Sequence, residues 1–545
     1  MSLRRPRFAV VAAALALSLP LRAQDPGFER QVDSIFSRFT TSTPGCTVGA
    51  ARGGRPLLLK GYGMANLEYA VPLGAGSVME SGSVAKQFTS AALLLLQQDG
   101  KLSLDDDVRE YLPEVPDFGS PITIRMMLTH TSGLRDQWGL LSAMGNPPTT
   151  QVHSLPLILH LVSRQRELNF PPGSEYLYSN TGYALAAMIV QRVSGKTLAA
   201  FSKERLFGPL GMIGTQWRDD YARIVPGRAT AYELRGSSYF QLMPFTNVYG
   251  NGGLLTTMAD LMAWNEALSA GTIPGGKALV DALETRGRLT GGQTISYSLG
   301  LQHGAWNGHR EVAHSGSTAG YQTYLTRFPD ARVSIAVFCN VASANPTALT
   351  YQVASLLLPV TAARGAATDA TVASVDSIVL RALSGRYRSP ETDAVLSVTV
   401  GRAGLEVNGG PVRARGAAFV GGNGATLRFD GEAKPRRLTL VDRDSVATTY
   451  VEVVAPAASA LRLEEFVGAY RSPELEITYR IELVDGQLAL VVPPSPNQAL
   501  MPFYEDGFAL NGGRSLRFSR DSSGRVAGFR LMAGRVRNLR FDRVN

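Results

Sequence analysis

Glu80-Ser-Gly-Ser83-Val-Ala-Lys86-Gln-Phe-Thr-Ser-Ala-Ala-Leu-Leu-Leu-Leu-Gln-Gln98 sets the only Ser-x-x-Lys of the chain at the mouth of an apolar helix. Three residues is nearly one helical turn, so Ser83 and Lys86 share a face. The pattern predicts a helix from about Val84 to Gln98, with Gly100 as its C-cap. Before it, Thr47–Ala51 and Pro56–Lys60 read as strands. Far behind it, Tyr297–His303, Tyr321–Phe328 and Val333–Phe338 read as strands too. Residues 102–270 are mostly helical patterns split by Gly- and Pro-rich loops. The two sets of strands join one sheet only if the ends of this region meet in space. That predicts an α/β sandwich with a helical insertion.

The remainder of the chain has another character. Residues 361–378 are rich in Ala, Thr and Val and read as a linker, and beyond them short alternating strands with Gly turns predict an all-β region without a clear helix. That region repeats itself. Gly385-Arg-Tyr387-Arg388-Ser-Pro390-Glu391 recurs as Gly468-Ala-Tyr470-Arg471-Ser-Pro473-Glu474, and Leu427-Arg-Phe429 as Leu516-Arg-Phe518. The constant order argues duplication, with copies at 379–456 and 457–545, each a small barrel or half of a larger one.

Composition narrows the function classes. The chain has 545 residues, 45% hydrophobic and 18% charged, with a net charge of +9. Residues 1–23 carry Arg4, Arg5, Arg7 and Arg22 and no acid, so their removal lowers +9 to +5. They combine a basic start, an apolar run from Phe8 to Leu19 and a small residue at Ala23, which predicts a signal peptide and an exported, periplasmic or secreted protein. The apolar run is too short to span a bilayer, and no later stretch has the length, so no membrane span is expected after cleavage. No dense basic run or aromatic–basic alternation marks a nucleic-acid surface. Cys46 and Cys339 are the only cysteines. Export permits a disulfide between them, but both lie in apolar strand-like runs, which favours two buried free thiols.

No Gly-x-Ser-x-Gly elbow occurs, and no His-Glu-x-x-His or paired-Cys pattern calls for a metal; no cofactor is expected. At a helix start, Ser83 meets backbone N–H groups that favour developing negative charge. Lys86 points into apolar surroundings, where desolvation lowers its pKa and makes it a usable base. The plainer reading is an N-cap serine beside a solvated lysine. A serine hydroxyl needs a base, and a second group can assist. Tyr178-Ser179-Asn180 offers a phenol and an amide before a helix running from Tyr183 to Val193, and Tyr249-Gly250-Asn251 offers the same pair. Pattern alone does not separate them. His314-Ser315-Gly316 begins a strand-like run, where Gly316 lets a substrate approach and the N–H of Ser317 can join that of Ser83 in an oxyanion hole.

Several segments in order resemble one family. They are Glu80 to Thr89, Ile122-Thr-Ile-Arg-Met-Met-Leu-Thr-His130-Thr-Ser-Gly133-Leu, Pro172-Gly-Ser-Glu-Tyr-Leu-Tyr178-Ser-Asn180-Thr-Gly-Tyr, Gly208-Pro-Leu-Gly-Met and Gly252-Gly-Leu-Leu-Thr-Thr-Met-Ala-Asp260-Leu. Residues of about 30–355 resemble the serine β-lactamase-like superfamily of class C β-lactamases, DD-peptidases, D-aminopeptidases and esterases. The resemblance implies an antiparallel sheet flanked by helices with a helical subdomain, spanning 24–360. It favours Tyr178 and Asn180 over the second triplet. It implies Ser83 as acylated nucleophile, Lys86 and Tyr178 as coupled base, and Asn180, His314, Gly316 and Ser317 as substrate-binding groups. Where β-lactamases carry Lys-Thr-Gly, this chain has His314-Ser315-Gly316, similar to D-aminopeptidases and some esterases. A histidine is only partly cationic near neutral pH. The resemblance therefore implies an amide or ester hydrolase acting on a small peptide, ester or cell-wall-related substrate. The alternatives are a penicillin- or peptide-binding protein with little turnover, or a weak β-lactamase. The C-terminal repeats resemble accessory barrels of D-aminopeptidase-like members.

Overall fold

The computed structural model describes residues 26–146, 151–360, 376–402, 404–422, 424–431, 433–441, 447–457, 461–492, 496–511 and 513–544. The expected signal peptide and most of the expected linker lie outside the described residues.

The two ends of the first region do meet. Strands β1 (Cys46–Arg52), β2 (Arg55–Tyr62), β3 (Gln302–Trp306), β4 (His309–Thr318), β5 (Tyr321–Phe328) and β6 (Val333–Cys339) form one sheet in the order β3-β4-β5-β6-β1-β2. All of its pairs are antiparallel. Register sets Cys46 opposite Cys339 with Cα atoms 3.9 Å apart, and the two form a disulfide. The expectation of two free thiols was wrong, because strand pairing across 293 residues decides it and neither local sequence records that pairing.

Side chains alternate across a strand, and β6 divides its residues accordingly. Val333, Ile335 and Val337 face helices α1 (Pro26–Phe36) and, near the end of this region, Pro346–Leu357. Ala336 and Phe338 face the larger core on the other side. There lie α2 (Lys86–Gln98), α3 (Gln137–Ala143), α4 (Asn180–Ser194) and α5 (Met258–Ala270). Helix α5 presses on β1 so closely that a Cβ at Gly49 would lie 2.5 Å from Met262 Cγ. Helix α2 is buried on all sides from Lys86 to Leu96, so it runs through the centre of the molecule and holds its first turn rigidly.

Three local expectations change. Ser83 sits in a single 3-10 turn, Gly82–Ala85, ahead of the α-helix proper. The run from Tyr297 to Leu301 is a tight turn, and the strand begins only at Gln302. Gly300 (φ +80°) brings that turn against α2, where a Cβ would meet Gln87 N at 2.6 Å. His314 lies inside β4, which starts five residues earlier, at His309.

Each C-terminal copy builds its own sheet. Eight strands from Gly385–Arg388 to Ala447–Val453 close a barrel, and nine strands between Gly468–Ser472 and Val536–Val544 form a second sheet. The duplication is visible in hydrogen bonds. Tyr387 Oη donates to Leu383 O and Tyr470 Oη to Phe466 O, both at 2.8 Å. One short helix, Ser377–Leu383, precedes the barrel, against the expectation of none; Asp376 caps it by accepting from Ile378 N, and Leu380 is buried beneath it. The copies differ at the last position of the repeated motif. Glu391 is exposed, whereas Glu474 is buried against Arg135, with Arg135 Nη1 2.7 Å from Glu474 Oε2. The second sheet thereby docks beside α3.

Candidate active site

Burial of α2 carries Lys86 into the core, and its side chain makes three contacts. Nζ lies 3.0 Å from Ser83 Oγ, 2.9 Å from Asn180 Oδ1 and 2.6 Å from the main-chain oxygen of Asn251. Desolvation holds its pKa well below the ordinary lysine value, assisted by the positive charge of Arg535 and opposed by Asp136. A neutral amine has two N–H bonds and one lone pair. The two carbonyl oxygens only accept, so they take the two N–H bonds, and the lone pair is left for the hydroxyl proton of Ser83.

Asn180 opens α4 with its carboxamide held at both ends. Oδ1 accepts from Lys86, and Nδ2 donates to Asp136 Oδ2 at 2.8 Å. Asp136 also accepts from Asn180 N at 2.7 Å and caps α3 through Trp138 N and Gly139 N. Sequence reading missed Asp136. Its signal was an acid directly before a short helix, read as a cap if read at all. The second triplet meets Lys86 through its backbone: Asn251 O accepts from Lys86, while the Tyr249 ring is buried near Trp217.

Tyr178 stands beside the lysine, with Lys86 Nζ 4.8 Å from its ring centroid. His130 packs under the same ring at 4.1 Å and accepts from Ser179 N through Nδ1. Burial, with Lys86, His314 and Arg535 nearby, drives the His130 pKa well down, so it serves as a neutral wedge that orients the Tyr178 loop.

The 3-10 turn and β4 approach at two glycines. A Cβ on Gly82 (φ +53°) would lie 2.5 Å from Ser317 N, and one on Gly316 would lie 2.0 Å from Ser81 O and 3.2 Å from Ser83 N. Missing side chains thus bring the N–H groups of Ser83 and Ser317 to one place, as an oxyanion hole requires. Behind the turn, Glu80 takes a bidentate pair from Arg218 at 2.7 and 2.9 Å, with both side chains 1% exposed. His314 Nδ1 lies 2.6 Å from the carbonyl of Ser315, which can only accept, and Nε2 lies 2.8 Å from Tyr297 Oη. Both ring nitrogens therefore have protein partners. A cavity of about 780 Å³ opens over these groups, lined by Ser83, Tyr178, Asn180, His314, Ser317 and, from the second C-terminal sheet, Arg535.

Residues 32–357, more than half of the chain, match the Beta-lactamase family. The chain belongs to that family. A D-aminopeptidase of Cereibacter sphaeroides is 27% identical over 95% of this chain and 98% of its own length. Penicillin-binding protein 4* of Bacillus subtilis is 32% identical over 54% of this chain and 67% of its own. The octameric penicillin-binding protein homologue from Pyrococcus abyssi superposes with a TM-score of 0.55 at 21% identity, covering 78% of this chain and 99% of that one. Membership makes the protein a serine hydrolase of the β-lactamase kind, and the fold follows suit: a mixed α/β core with barrel-like sheets behind it. Within this β-lactamase family member, Ser83, Tyr178, Asn180, His314 and Ser317 line one cavity, while Lys86 touches Ser83 from beneath and Gly316 packs against Ser81 behind the turn and does not itself line the cavity. Asp136, Arg218 and Arg535 join them from segments that carried no motif.

Proposed function

We propose that Ser83 is the nucleophile of an amide or ester hydrolase of peptidase, D-aminopeptidase or carboxylesterase type. The carrying observation is the coordination of Lys86, whose two carbonyl acceptors leave its lone pair for Ser83. The Ser83 proton passes to Nζ as Oγ bonds to the substrate carbonyl carbon, and the N–H groups of Ser83 and Ser317 hold the oxyanion. Collapse expels the amine or alkoxide, which takes its proton from the Lys86–Tyr178 pair. Water then cleaves the acyl–serine ester with the same pair as base. The D-aminopeptidase relative, matched nearly end to end, supports amides as substrates. The disulfide supports an oxidising destination and hence export with cleavage after about residue 23.

Incubation with p-nitrophenyl acetate and a fluorescent penicillin, followed by peptide mass mapping, tests the reading. The expected adduct is on Ser83, and Ser83→Ala loses label and turnover while unfolding within about 1 kcal/mol of the parent. Turnover near the parent level in that variant would remove Ser83 from the mechanism.

A further inference from the structure

Arg535 comes from the second C-terminal repeat, far along the chain from the Ser83 and Tyr178 motifs, yet it lines the Ser83 cavity. It sits with Gly534 (φ +59°) at the tip of the hairpin joining Val526–Ala533 to Val536–Val544, where Ala533 pairs with Val536. The tip is pinned. The Arg535 carbonyl accepts from Asn169 Nδ2 at 2.9 Å and from Asp136 N at 3.4 Å, and Arg537 N donates back to Asn169 Oδ1 at 2.8 Å. A Cβ on Gly139 would lie 2.7 Å from Val536 Cγ2, so α3 meets the hairpin closely at that glycine. The backbone is fixed, and the side chain, 47% exposed, projects over the Tyr178 ring at 4.7 Å.

The guanidinium carries an unmet capacity. Asp136 Oδ2 stands 3.8 Å from Nη1, beyond hydrogen-bond reach. That carboxylate is already filled by four N–H donors, from Trp138, Gly139 and the two nitrogens of Asn180. Among the described lining residues Arg535 is the one permanent cation. The acid of the lining, Glu80, is held bidentately by Arg218, and His314 spends both nitrogens on Tyr297 and Ser315. A planar fork over an aromatic ring, lining the open cleft over Ser83, suits one ligand chemistry above others: a carboxylate bound side-on.

Resting on Ser83 as the acylated residue, we infer that Arg535 is a substrate-binding residue that selects amides or esters bearing a carboxylate near the scissile bond. The same charge disfavours substrates with a free ammonium at that place. The second C-terminal sheet therefore supplies specificity to a reaction centre built wholly from the first region.

Three esters of p-nitrophenol separate the cases: the hemiglutarate (anionic), the butyrate (neutral) and the 4-aminobutyrate (cationic). The expected parent order of kcat/KM is anionic, neutral, cationic. Arg535→Ala lowers the anionic-to-neutral ratio on the order of tenfold to a hundredfold, the range of a charge-assisted hydrogen bond. Arg535→Glu reverses the anionic-to-cationic order, and Arg535→Lys restores part of the anionic ratio. A parent that prefers the cationic ester, or ratios unmoved in Arg535→Ala and Arg535→Glu, would overturn the inference. Calorimetric binding of N-glutaryl- and N-butyryl-D-alaninamide to Ser83→Ala, with and without Arg535→Ala, reads Arg535 independently of turnover. Equal affinities there would overturn the inference even if the esters were hydrolysed. Failure of every ester alongside tighter binding of the glutaryl compound would sustain Arg535 and count against the reading of Ser83.

Discussion

Replacing Glu474 by Leu removes the negative partner of a guanidinium that has no access to water. Arg135 and Glu474 are 0% and 2% exposed, with Nη1 2.7 Å from Oε2. Arg135 keeps neutral acceptors: Gln165 Oε1 at 2.9 Å, Arg537 O at 2.9 Å and Asn538 O at 3.1 Å. Burial pulls its pKa below the ordinary value even with Glu474 and Glu167 opposing, so desolvation outweighs attraction. Breaking a buried pair from one side costs about 3–5 kcal/mol. The molecule can relieve that cost by undocking, since Arg135 reaches water once the second sheet moves away. The expected effect is easier opening of this interface, with hydrogen exchange of the Arg537 amide faster by roughly two to four orders of magnitude. Arg135→Met combined with Glu474→Leu removes the orphaned charge and should recover most of the protection. Hydrogen exchange read by mass spectrometry on peptides covering 526–544 measures both. Acceleration under about tenfold in Glu474→Leu, or a double variant no better than the single, would refute the argument that this pair holds the sheet in place.

The acid limb of kcat/KM should lie far below the ordinary lysine pKa, with activity rising as Lys86 loses its proton and falling as pH drops through that value. Arg535→Ala removes a charge that lowers this pKa and moves the limb to higher pH; Asp136→Asn removes one that raises it and moves the limb lower. Limbs that stay fixed in both variants would exclude Lys86 as the titrating base. Gly316→Ala drives a methyl to 2.0 Å from Ser81 O. It should cut kcat by about a hundredfold to a thousandfold, and retention of parent activity would place the oxyanion elsewhere. Cys46→Ser with Cys339→Ser should cost about 2–5 kcal/mol in denaturant unfolding under oxidising conditions. No loss would show that the pair contributes nothing as a crosslink.

What could be read from the sequence was whatever acts through close neighbours along the chain. Ser83 and Lys86 are one turn apart, and Tyr178 and Asn180 are two residues apart, so their joint use was visible in spacing. The sheet was readable because its strands carry their own apolar patterns. Asp136 was not, since its donors on Asn180 are 44 residues away and its local signature is a helix cap. Arg535 and Glu474 were further still: their partners lie across contacts of hundreds of residues, and an arginine in a Gly-Arg turn reads as surface. Tyr297 failed for another reason. Its alternation imitates a strand, and only the approach of Gly300 to α2 turns it inward.

The sheet order also has a meaning in time. β1 sits between β2 and β6, and 293 residues separate Cys46 from its partner. At synthesis rates of about 5–20 residues per second, the nascent β1–β2 hairpin waits roughly 15–60 s without its central neighbour. Ser83 and Lys86 emerge early, but the strand carrying His314 and Ser317 comes only with the last quarter of this region. On the proposed mechanism an interrupted chain therefore carries the nucleophile without its oxyanion hole, and hydrolytic capacity arises in a single late step of biogenesis.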